Sequence, residues 1–251
     1  DNTIFDHLKK RKYDEKSIKA LNQLYDKGVK IIICSARPIY SLREFGVLNR
    51  IKYSGVIASN GAVRVYNNEW FDKYVFPKKE LKEIVDVCKK HKLCIELVTF
   101  DGRFYATQKT KEVDYHHKVF FEIDAKFEQY NSQEVISMLL FSDRSFDPIL
   151  NKEMPKTIHM FRFSEYGLDV LSKSHSKGEA VISMLNKMGI NKEEALAFGD
   201  DYQDISMFEQ VGTGVALGNA KDELKNIAQF VTKPVYHHGV YKFIKKAKLL
   251  R

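Results

Sequence analysis

The stretch ALAFGDDYQDISMF, residues 195–208, runs an apolar segment into a glycine and then sets Asp200, Asp201 and Asp204 within five positions. Short and apolar, bounded by Gly, the first part reads as a buried strand. Like charges this close repel one another unless something positive offsets them. Taken alone, Gly-Asp-Asp after a strand reads as readily as a loop that caps the next helix. The surroundings decide between the two.

Downstream, GVALG reads as another strand, AKDELKNIAQF as a helix, and a last helix follows His238. Upstream, KGEAVISMLNKMGI predicts a helix with Ala180, Ile182 and Leu185 inward and Gly189 at its end. The same rhythm governs the start of the chain. Asp14 caps a helix whose face carries Ile18, Leu21 and Leu24, and Gly28 closes it. VKIIICSARP is a β-branched strand ending at Ser35. Pro38 suits the first turn of a helix through PIYSLREFGVLNRI. GVIASNGA is a further short strand. Alternating strand and helix predict an α/β domain, a parallel sheet with helices on both faces.

The middle differs. AVRVYNNEWFDKYV predicts a hairpin around Asn67–Asn68, and a helix with Leu81, Ile84, Val85 and Cys88 on one face follows Pro77. CIELVTFDGRFYATQ, KVFFEID, EVISMLLFSD and TIHMFRFSEYGLDVLS alternate as strands, with Asp101–Gly102 a hairpin turn. The expected organisation is therefore an α/β core of residues 1–76 and 174–251, interrupted by an α+β domain of residues 77–173.

The 251 residues, 44% hydrophobic and 29% charged, have the balance of a globular protein. No apolar run approaches the ~20 residues of a membrane span, so no membrane association is expected. The net charge of +8 comes from lysines interleaved with acids along several segments. No nucleic-acid module or aromatic-basic motif accompanies them, so solvated helix faces are the reading and no nucleic-acid partner is expected. Cys34, Cys88 and Cys94 form no CxxC pair; reduced thiols and a cytoplasmic location are expected.

In an open parallel sheet, ligands sit beyond the carboxyl ends of the strands. Three segments deliver polar groups there: Ser35 from IIICS, the aspartates from ALAFGD, and Asp1 from the opening DNT. Carboxylates converging from two strands make a hard oxygen site of the kind Mg²⁺ prefers. Lys177, just ahead of a helix in SKGEA, supplies a second positive charge. Metal and lysine together would neutralise the carboxylates and a bound phosphate, and stabilise a phosphoryl group in transfer.

In order, DNT, IIICSAR, SKGEA and FGDDYQDISMF resemble the four motifs of the haloacid dehalogenase-like phosphatases. VIASNGA and VALGNAKDELKNIAQFVT further resemble the Cof-type subfamily, whose α/β cap inserts between the second and third motifs. The resemblance implies a Rossmann-like core with an inserted cap and a Mg²⁺-dependent phosphatase of small phosphorylated metabolites, either sugar phosphates or phosphorylated cofactors. Asp1 matches the second aspartate of D-x-D, a general acid/base whose backbone carbonyl also binds the metal. Ser35 would bond the phosphoryl group, Lys177 would bridge it to the nucleophile, Asp200 would bind the metal directly, and Asp204 would act through water or orient the site. Asn60 would face substrate between core and cap. The nucleophilic aspartate of the motif belongs two residues before Asp1, on a central strand, so a longer natural chain is expected. Gln203 stands where the subfamily usually has Asn and is taken as a phosphate contact; Asp201 fills the variable place and is read as a helix cap.

Glu165 and Tyr166, in the last hairpin turn of the insert, are candidate specificity residues. His116–His117 and His237–His238 are not taken as metal ligands, since neighbours on a strand point to opposite faces. Cys34 is read as packing. Two alternatives stand beside the phosphatase: a phosphomutase using the same constellation, and a non-catalytic metal- or anion-binding protein.

Overall fold

The computed structural model describes residues 1–7, 9–10, 12–120 and 133–250, the side chains of residues 116, 117, 119 and 120 aside. The chain divides into two compact units, Asp1–Asp72 with Ser176–Arg251, and Lys73–His175; the sequence reading divides it after residues 76 and 173. Among the described residues no helix is long and apolar enough to cross a membrane.

The first unit opens with a two-residue antiparallel pair, β1 (Phe5–Asp6) and β2 (Lys12–Tyr13). α1 (Glu15–Asp26) follows, buried through Ile18, Ala20 and Leu24 and closed beyond its end by Gly28 at φ 91°. Asp14 is its N-cap, accepting from Ser17 N at 3.3 Å. The buried Asp14 carboxylate also meets the Ser17 hydroxyl and His238 Nδ1, the latter at 2.6 Å. Asp14→Ala would remove the cap and strand two partners. A loss of about 2 kcal/mol is expected, measurable as a lowered urea midpoint, with Asp14→Asn losing less.

β3 (Ile32–Cys34) leads to α2 (Ile39–Glu44) and α3 (Val47–Arg50). One helix was expected here. It breaks at Gly46, whose φ of 78° is left-handed and ends the first segment. β4 (Gly55–Ala58), β5 (Val63–Tyr66) and β6 (Glu69–Lys73) come next, the last two joined through Asn67 and Asn68 with φ of 50° and 65°. Two adjacent positive φ values suit a tight hairpin turn, and Asn tolerates them best after Gly.

In the second unit, α4 (Lys78–Lys90) buries Leu81, Ile84 and Cys88 against a five-stranded antiparallel sheet. Its strands are β7 (Cys94–Val98), β8 (Arg103–Tyr105), β9 (Ser137–Phe141), β10 (Ile158–Arg162) and β11 (Gly167–Ser172), in the order β10-β11-β9-β7-β8. α5 (Lys111–Phe120) and α6 (Asp147–Glu153) complete it. α5 overturns one expectation: Lys118–Phe120 of KVFFEID is helical, the continuation of a turn begun by Glu112 and Asp114, whose charges favour a helix start. Residues 121–124 of that segment lie outside the described residues. His116 and His117 therefore sit on a helix, not a strand.

The chain returns to the first unit through α7 (Lys177–Met188), β12 (Leu196–Gly199), α8 (Ile205–Phe208), β13 (Thr213–Ala216), α9 (Asp222–Ile227), β14 (Phe230–Val231) and α10 (Gly239–Lys246). Beside the small β1–β2 pair, the described strands of this unit fall into two sheets, not one. β12, β13 and β14 are parallel; β3 and β4 are parallel, and the Asn67–Asn68 hairpin extends them as β5 and β6.

α7 corrects a second expectation. Ile182 is 41% exposed, while Lys177, Ala180, Val181, Met184 and Leu185 are buried. At 100° per residue those five positions form one stripe with Lys177 near its middle, and Ile182 falls outside it. The pattern that buries the helix thus also buries a lysine.

Candidate active site

The aspartates of residues 200–204 have three separate fates. Asp201 caps the following turn, accepting from Tyr202 N at 2.8 Å. Asp204 folds back on the backbone, its Oδ2 accepting from Asp200 N at 2.9 Å and Asp201 N at 3.1 Å. Gly199 makes room for it: a Cβ there would lie 2.8 Å from Asp204 Oδ2. The other oxygen, Oδ1, accepts from Lys177 Nζ at 2.7 Å, and both side chains are 8% exposed. Lys177 reaches it because α7 and α8 touch backbone to backbone; a Cβ at Gly178 would stand 2.3 Å from the Ser206 carbonyl oxygen.

This buried pair is charged. Burial pulls the Lys177 ammonium down, but the Asp204 charge and its hydrogen bond outweigh it and hold the group well above the usual lysine range. Burial likewise pushes Asp204 up, and Lys177 with the two backbone amides overcomes it, leaving the carboxyl below its ordinary value.

Asp200 has no such lysine. Its Oδ1 accepts from the Thr3 hydroxyl at 2.6 Å. Desolvation first and the neighbouring Asp204 charge second push its pKa up to about 7. A carboxylate this costly to ionise is one that a cation would stabilise.

Asp1 is held at both oxygens. Oδ2 accepts from Arg37 Nε at 2.8 Å, and Oδ1 meets His7 Nε2 at 2.8 Å. Arg37 lies 4.3 Å above the Phe45 ring and links Asp1 to the end of β3, its backbone N–H donating to Ser35 Oγ at 3.1 Å. The loop after β4 closes on the same place: Asn60 N donates to Ser35 O at 3.1 Å and Ser59 N to Arg37 O at 3.0 Å. Ser59 and Asn60 hold φ of 49° and 55°, and Asn60 is 3% exposed. Such backbone conformations in non-glycine residues cost energy and gather at functional sites. Among the described residues Asn60 Oδ1 and Ser59 Oγ have no hydrogen-bond partner. Gln203 is half-buried within the Tyr202–Asp204 turn.

The structure thus gathers Asp1, Ser35, Asn60, Lys177, Asp200 and Asp204 in the first unit. Sequence reasoning missed Thr3, His7, Arg37 and Asn219, whose Nδ2 donates to Asn2 O at 2.9 Å. Arg37 was signalled only by standing two residues after Ser35. Burial pushes the Cys34 thiol up to about 12, so it is protonated and unreactive. His238 is engaged with Asp14.

The donors are all oxygens, suited to a hard cation. Among the described residues no group of three or more His, Cys, Asp or Glu is arranged to hold a metal. Asp204 is engaged by Lys177 and two amides, and Asp200 is a carboxylate that could hold one.

Along residues 1–244 the chain matches the family model of haloacid dehalogenase-like hydrolases. The chain belongs to that family. It is a Cof-type member with a Rossmann-like core and an inserted α+β cap domain. YkrA of Bacillus subtilis, provisionally named a phosphatase, is 29% identical over 260 residues, covering 100% of this chain and 96% of YkrA. The subclass IIB sugar phosphatase BT4131 superposes with a TM-score of 0.83 at 27% identity, over 99% of this chain and 96% of that one. The fold of BT1666 from Bacteroides thetaiotaomicron is also similar, with a TM-score of 0.86 at 24% identity, over 99% and 92%.

Proposed function

We propose that this enzyme hydrolyses phosphoric monoesters of small metabolites, sugar phosphates or phosphorylated cofactors, with Mg²⁺ as cofactor. The observation that carries the reading is the charged, buried Lys177–Asp204 pair beside Asp200, whose carboxyl is raised by burial and by the Asp204 charge. It is an arrangement with a fixed positive charge for a phosphoryl group and a carboxylate that a cation would stabilise.

Asp200 and the Asp1 backbone carbonyl would hold the metal, with substrate phosphate and water completing its shell, as Mg²⁺ commonly has one or two carboxylates and keeps waters. Bound there, it would supply charge stabilisation to the phosphoryl oxygens. Ser35 Oγ, Lys177 Nζ and Gln203 bind those oxygens, and Asn60 offers its carboxamide to the substrate. Asp204 holds Lys177 in place. In the first step the bond from phosphorus to the ester oxygen breaks as a bond forms to the carboxylate of the family's nucleophilic aspartate, and Asp1 gives its proton to the departing oxygen. In the second, water attacks the aspartyl-phosphate and Asp1 takes the proton. The inserted domain acts as the cap that selects substrate, with Glu165 and Tyr166 as specificity residues. The free thiols of Cys34, Cys88 and Cys94 suit a cytoplasmic setting.

The test is phosphate release from a panel of sugar phosphates and phosphorylated cofactors by the full-length protein with Mg²⁺. Stoichiometric inorganic phosphate is expected. An isomerised sugar phosphate without free phosphate would mean a phosphomutase, and binding without turnover a non-catalytic protein.

A further inference from the structure

We propose that His7 is a positioning residue for Asp1, aiming its carboxylate for proton transfer to the leaving oxygen. The inference rests on the phosphatase reading above and goes beyond it.

The turn that carries His7 is fixed independently of the ring. Asp6, at the end of β1, accepts from Lys9 N at 3.0 Å and Lys10 N at 2.9 Å, and His7 N itself donates to Asn2 Oδ1 at 3.2 Å. The imidazole is then wedged between aromatics. Phe5 meets it edge-on at 4.6 Å, and Phe45 stacks at 5.9 Å with 25° between the planes. Phe45 is also the ring beneath Arg37. One aromatic side chain therefore sets the places of both groups that grip Asp1.

The exposures indicate what the grip is for. The His7 and Arg37 side chains are 10% and 8% exposed, whereas the carboxylate between them is 32% exposed. Two buried side chains hold an accessible carboxyl. A lone aspartate near a chain turn samples several rotamers; one tethered at both oxygens keeps the orientation that proton transfer needs. Arg37 Nε holds one oxygen and His7 Nε2 the other, so the carboxyl plane is fixed from both sides.

Leaving groups separate this role from simple support of the fold. A nitrophenolate departs without a proton, whereas an alkoxide requires one from Asp1. Moreover, kcat/KM reports only the steps through departure. His7→Phe keeps the ring packing but removes the contact. It is expected to lower kcat/KM on alkyl phosphates by about 10- to 100-fold, a fraction of what a general acid contributes, and on nitrophenyl phosphate by less than about 3-fold. Asp1→Asn should show the same contrast in larger measure. His7→Gln, which retains a donor, should recover most of the loss. His7→Leu gives the comparison with His7→Gln if the Phe variant does not fold. Equal losses on both substrates, or none on either, overturn the proposal. A wild type inert toward every monoester would instead overturn the phosphatase reading.

Discussion

Lys177→Ala is expected to abolish turnover, by about 1,000-fold or more, and to destabilise the protein by about 3 kcal/mol. The first figure follows from removing a fixed charge aimed at the transferring group, since loss of one stabilising donor costs 10²–10³, and this donor is a full cation. The second follows from leaving Asp204 ionised and buried without its partner. Breaking a buried pair costs roughly 3–5 kcal/mol, and the low end applies because Asp204 keeps the amides of Asp200 and Asp201. Its pH dependence has a definite sign. Asp204 is depressed in the folded state, so its contribution is present above the unfolded carboxyl value and disappears as pH falls through the folded one. Lys177 is raised, so its contribution is present below the unfolded lysine value and disappears as pH rises through the folded one. The gap between wild type and variant should therefore close in acid and at strongly alkaline pH. Lys177→Met with Asp204→Asn should recover most of the stability and none of the activity, because a neutral pair of similar volume carries no stranded charge. Urea titrations and phosphate release measure the two effects separately. An active Lys177→Ala variant would remove Lys177 from the site.

How far the sequence could be read is shown by these same residues. Asp200, Asp204 and Lys177 were legible because each belongs to a local pattern, a strand end or a helix start, that positions its own backbone. The cap role of Asp201 was legible too, but the hold of Asp204 on two backbone amides and on Lys177 was not. It depends on Gly199 and Gly178 allowing backbone contacts shorter than a Cβ permits, and nothing local announces which partner a glycine makes room for. Ile182 was misplaced because three apolar residues suggested a stripe that in fact runs through Lys177, a side chain no hydropathy pattern selects. Gly46 reads as an ordinary interior residue until its left-handed φ ends the helix. His7 and Arg37 are thirty positions apart in the chain and come together over Phe45 and at Asp1, so the clamp exists at the level of tertiary structure.

The remaining aspartate sets how the protein responds to a divalent cation. Asp200 is raised from an ordinary carboxyl value to about 7. A raised acid destabilises the fold where the unfolded chain is ionised and the folded one is not: stability falls as pH rises from about 4 to about 7, then levels. Over that window the effect is a few kcal/mol. Without added cation, Asp200→Asn should therefore be more stable than wild type at pH 8, with the margin cut to less than half at pH 5. Mg²⁺ reverses the order. Binding the folded state stabilises in proportion to ln(1 + [L]/Kd), and the ligand is the ionised carboxylate, so the shift in Tm should be large for wild type at pH 8, small at pH 5, and near zero for the variant at either pH. Activity should be lost in Asp200→Asn throughout. Thermal melts of the two proteins, with and without Mg²⁺ at both pH values, read all of this directly. An equal Mg²⁺ shift in wild type and variant would place the cation elsewhere. A metal-free variant less stable than wild type at pH 8 would mean that Asp200 is already neutralised by the protein itself.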